Sequence, residues 1–157
     1  MKLLGLNFKG VTCYREEAHV DFEALGPGVV AIVGKTGAGK TTCLECSGPG
    51  VLFRELPTRA PNKAMSAWCT DDAEIRLRFE FAGSEFIAAL ADKKWSLQRD
   101  GQPLYKGRRT GHYDAAVAKL FGPSEIFYSS VFACQGGGGA FARMKRGERR
   151  QGMRHHL

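Results

Sequence analysis

The residues of this chain that are best suited to chemistry lie in a glycine-rich stretch. From Gly34 to Thr41 it matches G-x-x-x-x-G-K-[ST] at every required position, which is the pattern of a phosphate-binding loop. Glycines leave the backbone N–H groups bare, so that a triphosphate can approach them closely. The Lys40 ammonium reaches the β- and γ-phosphates, and the Thr41 hydroxyl is a ligand for Mg²⁺. The pattern predicts a nucleotide-binding site formed by Gly34, Lys35, Thr36, Gly37, Ala38, Gly39, Lys40, Thr41 and Thr42.

Two elements must position this phosphate-binding loop. The apolar residues 29–33 predict a buried strand that ends at the loop, and residues 40–46 predict a helix that begins there. The N-terminus of such a helix adds a partial positive charge to the site. A Ser-Gly-Pro-Gly sequence at residues 47–50 should end the helix after about two turns, because proline and glycine are unfavourable in a helix interior.

Alternating apolar and polar residues predict five further strands. A first strand over residues 1–11 is followed by a short partner strand over residues 19–22. Residues 73–81 alternate most regularly and give a strand with one solvated face, which is typical of antiparallel sheets. With the strands predicted over residues 85–91 and 95–99, they form a three-stranded meander.

After the meander, apolar residues again recur at the spacing of a helix. Residues 110–121 carry an apolar stripe at helical intervals, and a second short helix is predicted to end at residue 129. We therefore predict an α/β fold with a P-loop core sheet, an antiparallel β meander and a small helical arm. The single domain is divided into residues 1–56 with the loop and first helix, 73–105 with the meander, 110–139 with the arm, and a basic segment 140–157.

The composition is that of one globular domain. The chain has 157 residues, of which 43% are hydrophobic and 25% are charged. No apolar run approaches the ~20 residues of a membrane span and no secretory segment is visible, so we expect a cytoplasmic protein. The five cysteines lack framework spacing, and no second pair completes the Cys43-x-x-Cys46 spacing into a zinc site.

The formal net charge of +7 is unevenly distributed along the chain. Basic residues crowd the last fifteen positions, and a smaller cluster lies at residues 106–109. Such clusters bind polyanions in some proteins and are solvated surface in others, so the charge alone does not choose between a nucleic-acid site and an ordinary face.

Several motifs occur in an order that resembles a known family. They are Leu3, Asn7, Phe8 and Lys9 in the first strand, Val20, Asp21 and Phe22 in the second, residues 36–42 in the loop, then Ser130, Val131, Phe132, Gln135 and Gly136, and finally residues 141–144 and 147–150. This order resembles the amino-terminal half of the ATPase head of SbcC-type exonuclease subunits. These subunits are relatives of the SMC proteins within the ABC ATPase superfamily, so the resemblance implies a P-loop NTPase head lobe of the ABC/SMC type.

The resemblance implies roles for individual residues. Gln135 matches the Q-loop glutamine, which joins Thr41 around Mg²⁺ and senses the γ-phosphate of ATP, so Lys40 and Gln135 are the implied catalytic residues. Without the resemblance, a glutamine before four glycines fits a flexible linker. Lys9 matches a basic residue that lies near the nucleotide, and a solvated lysine at a strand end is the alternative. Residues 140–157 match the start of a long coiled coil, which we expect to be truncated here.

Two departures from the family concern the site. The sequence Gly48-Pro49-Gly50 interrupts a helix that is continuous in the family, and the four glycines after Gln135 replace one. A third departure is that the chain stops where the long coiled coil of the family begins. We accordingly find no signature motif and no Walker B carboxylates, which the family carries on a second lobe. Hydrolysis needs such groups, so ATP turnover is expected only when a carboxy-terminal ATPase lobe, in the same or a separate chain, is present.

The function implied by the resemblance is that of an ATP-binding lobe of a DNA repair ATPase. It would dimerise head to head with nucleotide, bind DNA and regulate an SbcD-type nuclease. One alternative is a self-sufficient small P-loop NTPase or nucleotide kinase, in which Asp92 is the metal carboxylate; Asp92 also fits an ordinary turn. Another alternative is an inactive truncated gene product.

Overall fold

A computed structural model of the chain describes residues 1–59, 62–106 and 110–132. Gln135, the glycines at 136–139 and the basic segment 140–157 lie outside the described residues. The predictions that concern them therefore stay predictions.

The described strands form one six-stranded sheet in which all neighbours are antiparallel. Its spatial order is β2-β1-β3-β4-β5-β6. The strands are β1 (Lys2–Val11), β2 (Ala18–Asp21), β3 (Cys69–Phe81), β4 (Ser84–Ala91), β5 (Lys94–Arg99) and β6 (Gln102–Pro103). The predicted meander is confirmed as β3, β4 and β5, and β1 joins it by pairing with β3 along most of its length.

The alternation of apolar and polar residues along the strands determines which face of the sheet is buried. In β3, Ala73, Ile75, Leu77 and Phe79 are buried, whereas the polar residues between them are mostly exposed. Side chains alternate between the two faces of a strand, so this register places one apolar face against the core and leaves the other in solvent.

Short helices cover the buried face. They are α1 (Lys40–Cys46), α2 (Pro49–Phe53), a 3-10 helix (Met65–Trp68), α3 (Thr110–Phe121) and α4 (Ser124–Ser130). The predicted end of α1 is confirmed, since Ser47 is its C-cap and Pro49 begins α2. The Tyr113 hydroxyl of α3 donates to the Val51 carbonyl of α2, and the Arg54 guanidinium after α2 binds both carboxylate oxygens of Asp114 at 2.8 and 2.7 Å.

The predicted buried strand over residues 29–33 is wrong for the described structure. These residues form no strand, and Val33 and Val30 are 87% and 50% exposed. A strand needs a neighbour for its backbone N–H and C=O groups, and no described strand pairs with this segment. Of the predicted P-loop core, the described residues therefore contain the helix that follows the loop but not the strand that should precede it.

Candidate phosphate-binding site

Backbone conformation explains the glycines of the phosphate-binding loop. Gly37 and Gly39 have φ angles of +84° and +88°, in the left-handed region that favours glycine. Gly39 is also the N-cap of α1. A Cβ at Gly39 would lie 2.6 Å from both Cys13 Sγ and Tyr14 Cε2, so this position excludes a side chain on steric grounds as well.

These contacts predict a graded effect of alanine substitutions on stability. Gly39→Ala combines backbone strain with a clash, Gly37→Ala has strain without any atom within 4 Å, and a Cβ at Gly34 would make ordinary contacts of 3.7 Å or more. We expect thermal unfolding midpoints to fall in the order Gly34→Ala, Gly37→Ala, Gly39→Ala, with the last destabilised by about 2 kcal/mol or more. Equal midpoints for Gly37→Ala and Gly39→Ala would contradict the steric part of this account.

Lys40 is the first residue of α1, and its side chain folds back over the loop. Its ammonium donates hydrogen bonds to the carbonyl oxygens of Gly34 and Lys35, both at 2.8 Å. An ammonium carries three N–H donors, so one donor remains for a phosphate oxygen. The Ala38 amide donates to the Lys35 carbonyl at 3.2 Å and is therefore used within the loop.

An open cleft of about 920 Å³ lies beside the loop. This volume falls within the range that small-molecule sites occupy, about 300 to 1,000 Å³. Six of the nine predicted loop residues line the cleft: Thr36, Gly37, Gly39, Lys40, Thr41 and Thr42. The side chain of Thr41 is exposed there and makes no hydrogen bond within the described ranges, which suits the predicted Mg²⁺ ligand.

Thr42 differs from Thr41 in its surroundings. Its side chain is buried, its Oγ1 lies 2.9 Å from Thr12 Oγ1, and it accepts a hydrogen bond from the Arg59 guanidinium at 2.6 Å. The Thr42 hydroxyl is therefore engaged by the protein, and it ties α1 to the turn after β1 and to the loop after α2.

Sequence reasoning missed a second cation of the cleft, Arg59. Its guanidinium lies over the Trp68 ring, 5.4 Å from the centroid, and lines the cleft beside Thr42. Beneath it is Glu45, whose side chain has no exposed surface and lies 3.8 Å from Arg59 Nε. Glu45 Oε1 accepts from the Thr58 amide and hydroxyl, both at 2.8 Å. A glutamate on the buried side of α1 is the sequence signal that points to a basic partner.

Glu45 Oε2 and Arg59 Nε are both buried, and neither has a hydrogen-bond partner among the described residues. Buried charged groups without partners are costly, so Arg59 is held near the carboxylate by charge rather than by a formed hydrogen bond. Arg59 is at the same time one of the residues that line the cleft.

The structure does not bring Lys9 or Asp92 into this cleft. Lys9 lies on β1, forms an ion pair with Glu74 at 3.4 Å, and lines a different cleft of about 330 Å³. Asp92 is an exposed residue with φ +50° in the turn between β4 and β5. Contact of Lys9 with a nucleotide stays a prediction, and the turn interpretation of Asp92 agrees with its position.

The cysteines near α1 are thiols. Cys43 and Cys46 are buried and free, and burial raises the pKa of both. For Cys46, neighbouring Cys69 and Cys43 raise the pKa further. No cluster of three metal-binding side chains occurs in residues 1–59, 62–106 and 110–132.

A glycine loop that opens a helix, with a lysine folded over it and a threonine at the cleft, defines a P-loop protein. A family model described as an AAA domain matches residues 6–110, about two thirds of the chain. The chain belongs to this AAA domain family.

A curated relative refines this assignment. The SbcC component of the SbcCD nuclease of Bacillus subtilis (strain 168) is 48% identical over 46 residues, which cover 29% of this chain and 4% of that protein. The family match and this relative confirm the resemblance to an SbcC-type amino-terminal segment. In the part of the chain that the structure describes, no helix is both long and apolar enough to cross a membrane.

Proposed function

We propose that this chain is the ATP-binding amino-terminal lobe of an SbcC-like ATPase head. The observation that carries the proposal is the phosphate-binding loop itself, with Lys40 held over it by two carbonyls and Gly39 fixed at the start of α1. Lys40 would bind the β- and γ-phosphates, and the exposed Thr41 would bind Mg²⁺. Gln135 would complete the metal site.

The exposed segment 29–33 supports the proposal that a second lobe is needed. It is apolar, it directly precedes the loop, and no described strand pairs with it. Apolar residues with unpaired backbone groups are suited to a strand that another segment completes. A carboxy-terminal ATPase lobe, in the same or another chain, would supply that neighbour together with the groups needed for hydrolysis.

The remaining parts of the proposal rest on the similarity to the SbcC relative. We propose a cytoplasmic role in DNA repair, in which nucleotide-dependent head-to-head pairing regulates an SbcD-type nuclease at DNA. The basic segment 140–157 would be the start of a coiled coil and would contact phosphates. No observation favours the small self-sufficient enzyme, because Asp92 lies in an exposed turn and does not line the cleft.

The direct test is isothermal titration calorimetry of the full chain with Mg²⁺ and ATP. We expect saturable binding without appreciable ATP turnover. Absence of saturable binding at millimolar ATP would reject the proposal, and rapid turnover by the chain alone would favour a self-sufficient enzyme.

Arg59 is expected to contribute to ATP affinity. Because its guanidinium lines the cleft, Arg59→Gln should weaken binding about tenfold, the effect of losing one charge-assisted hydrogen bond. Arg59→Lys should retain part of the affinity, since it keeps the charge.

Arg76→Gln provides a matched control for this change. Arg76 is exposed on β3 and does not line the cleft beside the loop, yet its replacement removes the same charge. Affinity should stay near that of the unmodified chain. If the two glutamine variants lost affinity equally, the effect would come from net charge and not from the position of Arg59.

A further inference from the structure

The turn after β1 is tightly built and firmly anchored. The Tyr14 amide donates to the Val11 carbonyl at 2.9 Å, and the Val11 amide donates to the Tyr14 carbonyl at 3.2 Å. The Thr12 amide donates to the Trp68 carbonyl at 2.9 Å, and the Tyr14 ring packs edge-on against the core residue Phe8 with centroids 4.5 Å apart. The turn, residues 11–14, is therefore fixed to the sheet and to the 3-10 helix.

Two side chains of this turn reach the phosphate-binding loop on either side of Lys40. The Tyr14 hydroxyl donates to the Gly39 carbonyl at 3.2 Å, just before the lysine. Thr12 Oγ1 lies 2.9 Å from Thr42 Oγ1, two residues after it. Burial raises the pKa of Tyr14, as do the nearby Cys43, Cys13 and Cys46, so its hydroxyl stays protonated and can donate.

Besides these contacts, the loop is held in the described ranges by its own hydrogen bonds from Lys40 and by the Arg59 hydrogen bond to Thr42. The segment 29–33, which leads into it, pairs with no described strand. Anchoring of the loop to the sheet therefore comes from the side of α1, where Gly39 and Thr42 meet the turn. A loop that is fixed before its ligand arrives loses less conformational freedom on binding, and this raises affinity.

We propose that the turn at residues 11–14 is a clamp that preorganises the phosphate-binding loop, with Thr12 and Tyr14 as positioning residues for Lys40 and Thr41. The inference rests on the proposed binding of ATP. The clamp acts on the loop, and therefore on the polyphosphate part of the ligand. Binding of inorganic tripolyphosphate should depend on the clamp as strongly as binding of ATP does.

The experiment is a double-mutant cycle on the hydroxyl pair. Thr12→Val and Thr42→Val each keep a β-branched side chain of similar size but remove the hydroxyl. We expect Thr12→Val to weaken binding of both Mg·ATP and magnesium tripolyphosphate about fivefold, and Thr42→Val to weaken it at least as much, because the Thr42 hydroxyl also accepts a hydrogen bond from Arg59. The double variant should bind no more weakly than Thr42→Val, because removal of the Thr42 hydroxyl already breaks its contact with Thr12. Thr12→Ser should restore affinity, since it returns the hydroxyl.

Tyr14→Phe gives an independent test that keeps the ring and its packing on Phe8. It should weaken binding of both ligands about fivefold, with little change in the thermal unfolding midpoint. Unchanged affinity in Thr12→Val and Tyr14→Phe would overturn the clamp. Loss of affinity for ATP but not for tripolyphosphate would also overturn it, because the turn would then contact the nucleoside directly.

A Lys40→Ala variant separates this outcome from failure of the proposed function. If Lys40→Ala loses both ligands while the clamp variants bind normally, the site stands and the clamp is wrong. If Lys40→Ala binds both ligands as the unmodified chain does, the proposed site itself is wrong.

Discussion

Replacement of Lys40 by alanine is expected to abolish measurable binding of Mg·ATP. The ammonium is fixed by the Gly34 and Lys35 carbonyls at 2.8 Å, so its charge is already in place before a phosphate arrives. Charge-assisted hydrogen bonds contribute about 1.5 to 3 kcal/mol each, and loss of the lysine also removes its attraction for the other phosphate oxygens. We expect calorimetry to show a loss of affinity of about a hundredfold or more.

Lys35→Ala is the matched control for this prediction. It removes a lysine from the same loop, but the contribution of Lys35 to the described site is its carbonyl, which the substitution keeps. ATP affinity should change little. Equal losses in the two variants would mean that the net charge of the loop, rather than the placement of Lys40, determines binding.

Addition of the carboxy-terminal lobe of an SbcC-type ATPase is expected to protect residues 29–33 from hydrogen exchange. These residues pair with no described strand, and Val30 and Val33 are exposed. Formation of ladder hydrogen bonds with a neighbouring strand should slow exchange of their amides about a hundredfold or more, as in paired strands. Mass spectrometry after deuterium labelling measures this change, and ATP turnover should appear together with it.

Strand β4 provides the internal control for this experiment, because it is already paired on both sides. Its amides should exchange at the same rate with and without the second lobe. If turnover appeared while residues 29–33 exchanged as before, the lobes would be joined through another surface. The proposed completion of a sheet at this segment would then be wrong.

The parts of the fold that local sequence determines were predictable. Alternation in residues 73–81 predicted the meander, and helical spacing predicted residues 110–121, the bounds that α3 has in the structure. The loop glycines could also be interpreted in advance, because a left-handed backbone at Gly37 and Gly39 is a local requirement.

Features that depend on distant partners were not predictable in the same way. The apolar residues 29–33 have the composition of a buried strand, yet whether they form one depends on a neighbouring strand that the described residues do not supply. Arg59 lies in an irregular loop, and its place in the cleft follows from Glu45, Thr42 and Trp68, which lie elsewhere in the sequence. Tertiary packing, and not the periodicity of the sequence, therefore determines whether residues 29–33 form a strand and where Arg59 lies.

The ion pair between Arg54 and Asp114 has a mechanical consequence. It joins α3 to the segment that begins at Arg54, whose carbonyl also accepts a hydrogen bond from the Met65 amide at 2.9 Å. Five residues later, this segment places Arg59 at the cleft. Movement of α3 would therefore be coupled through Arg54 to the segment that holds the Arg59 guanidinium beside the phosphate-binding loop.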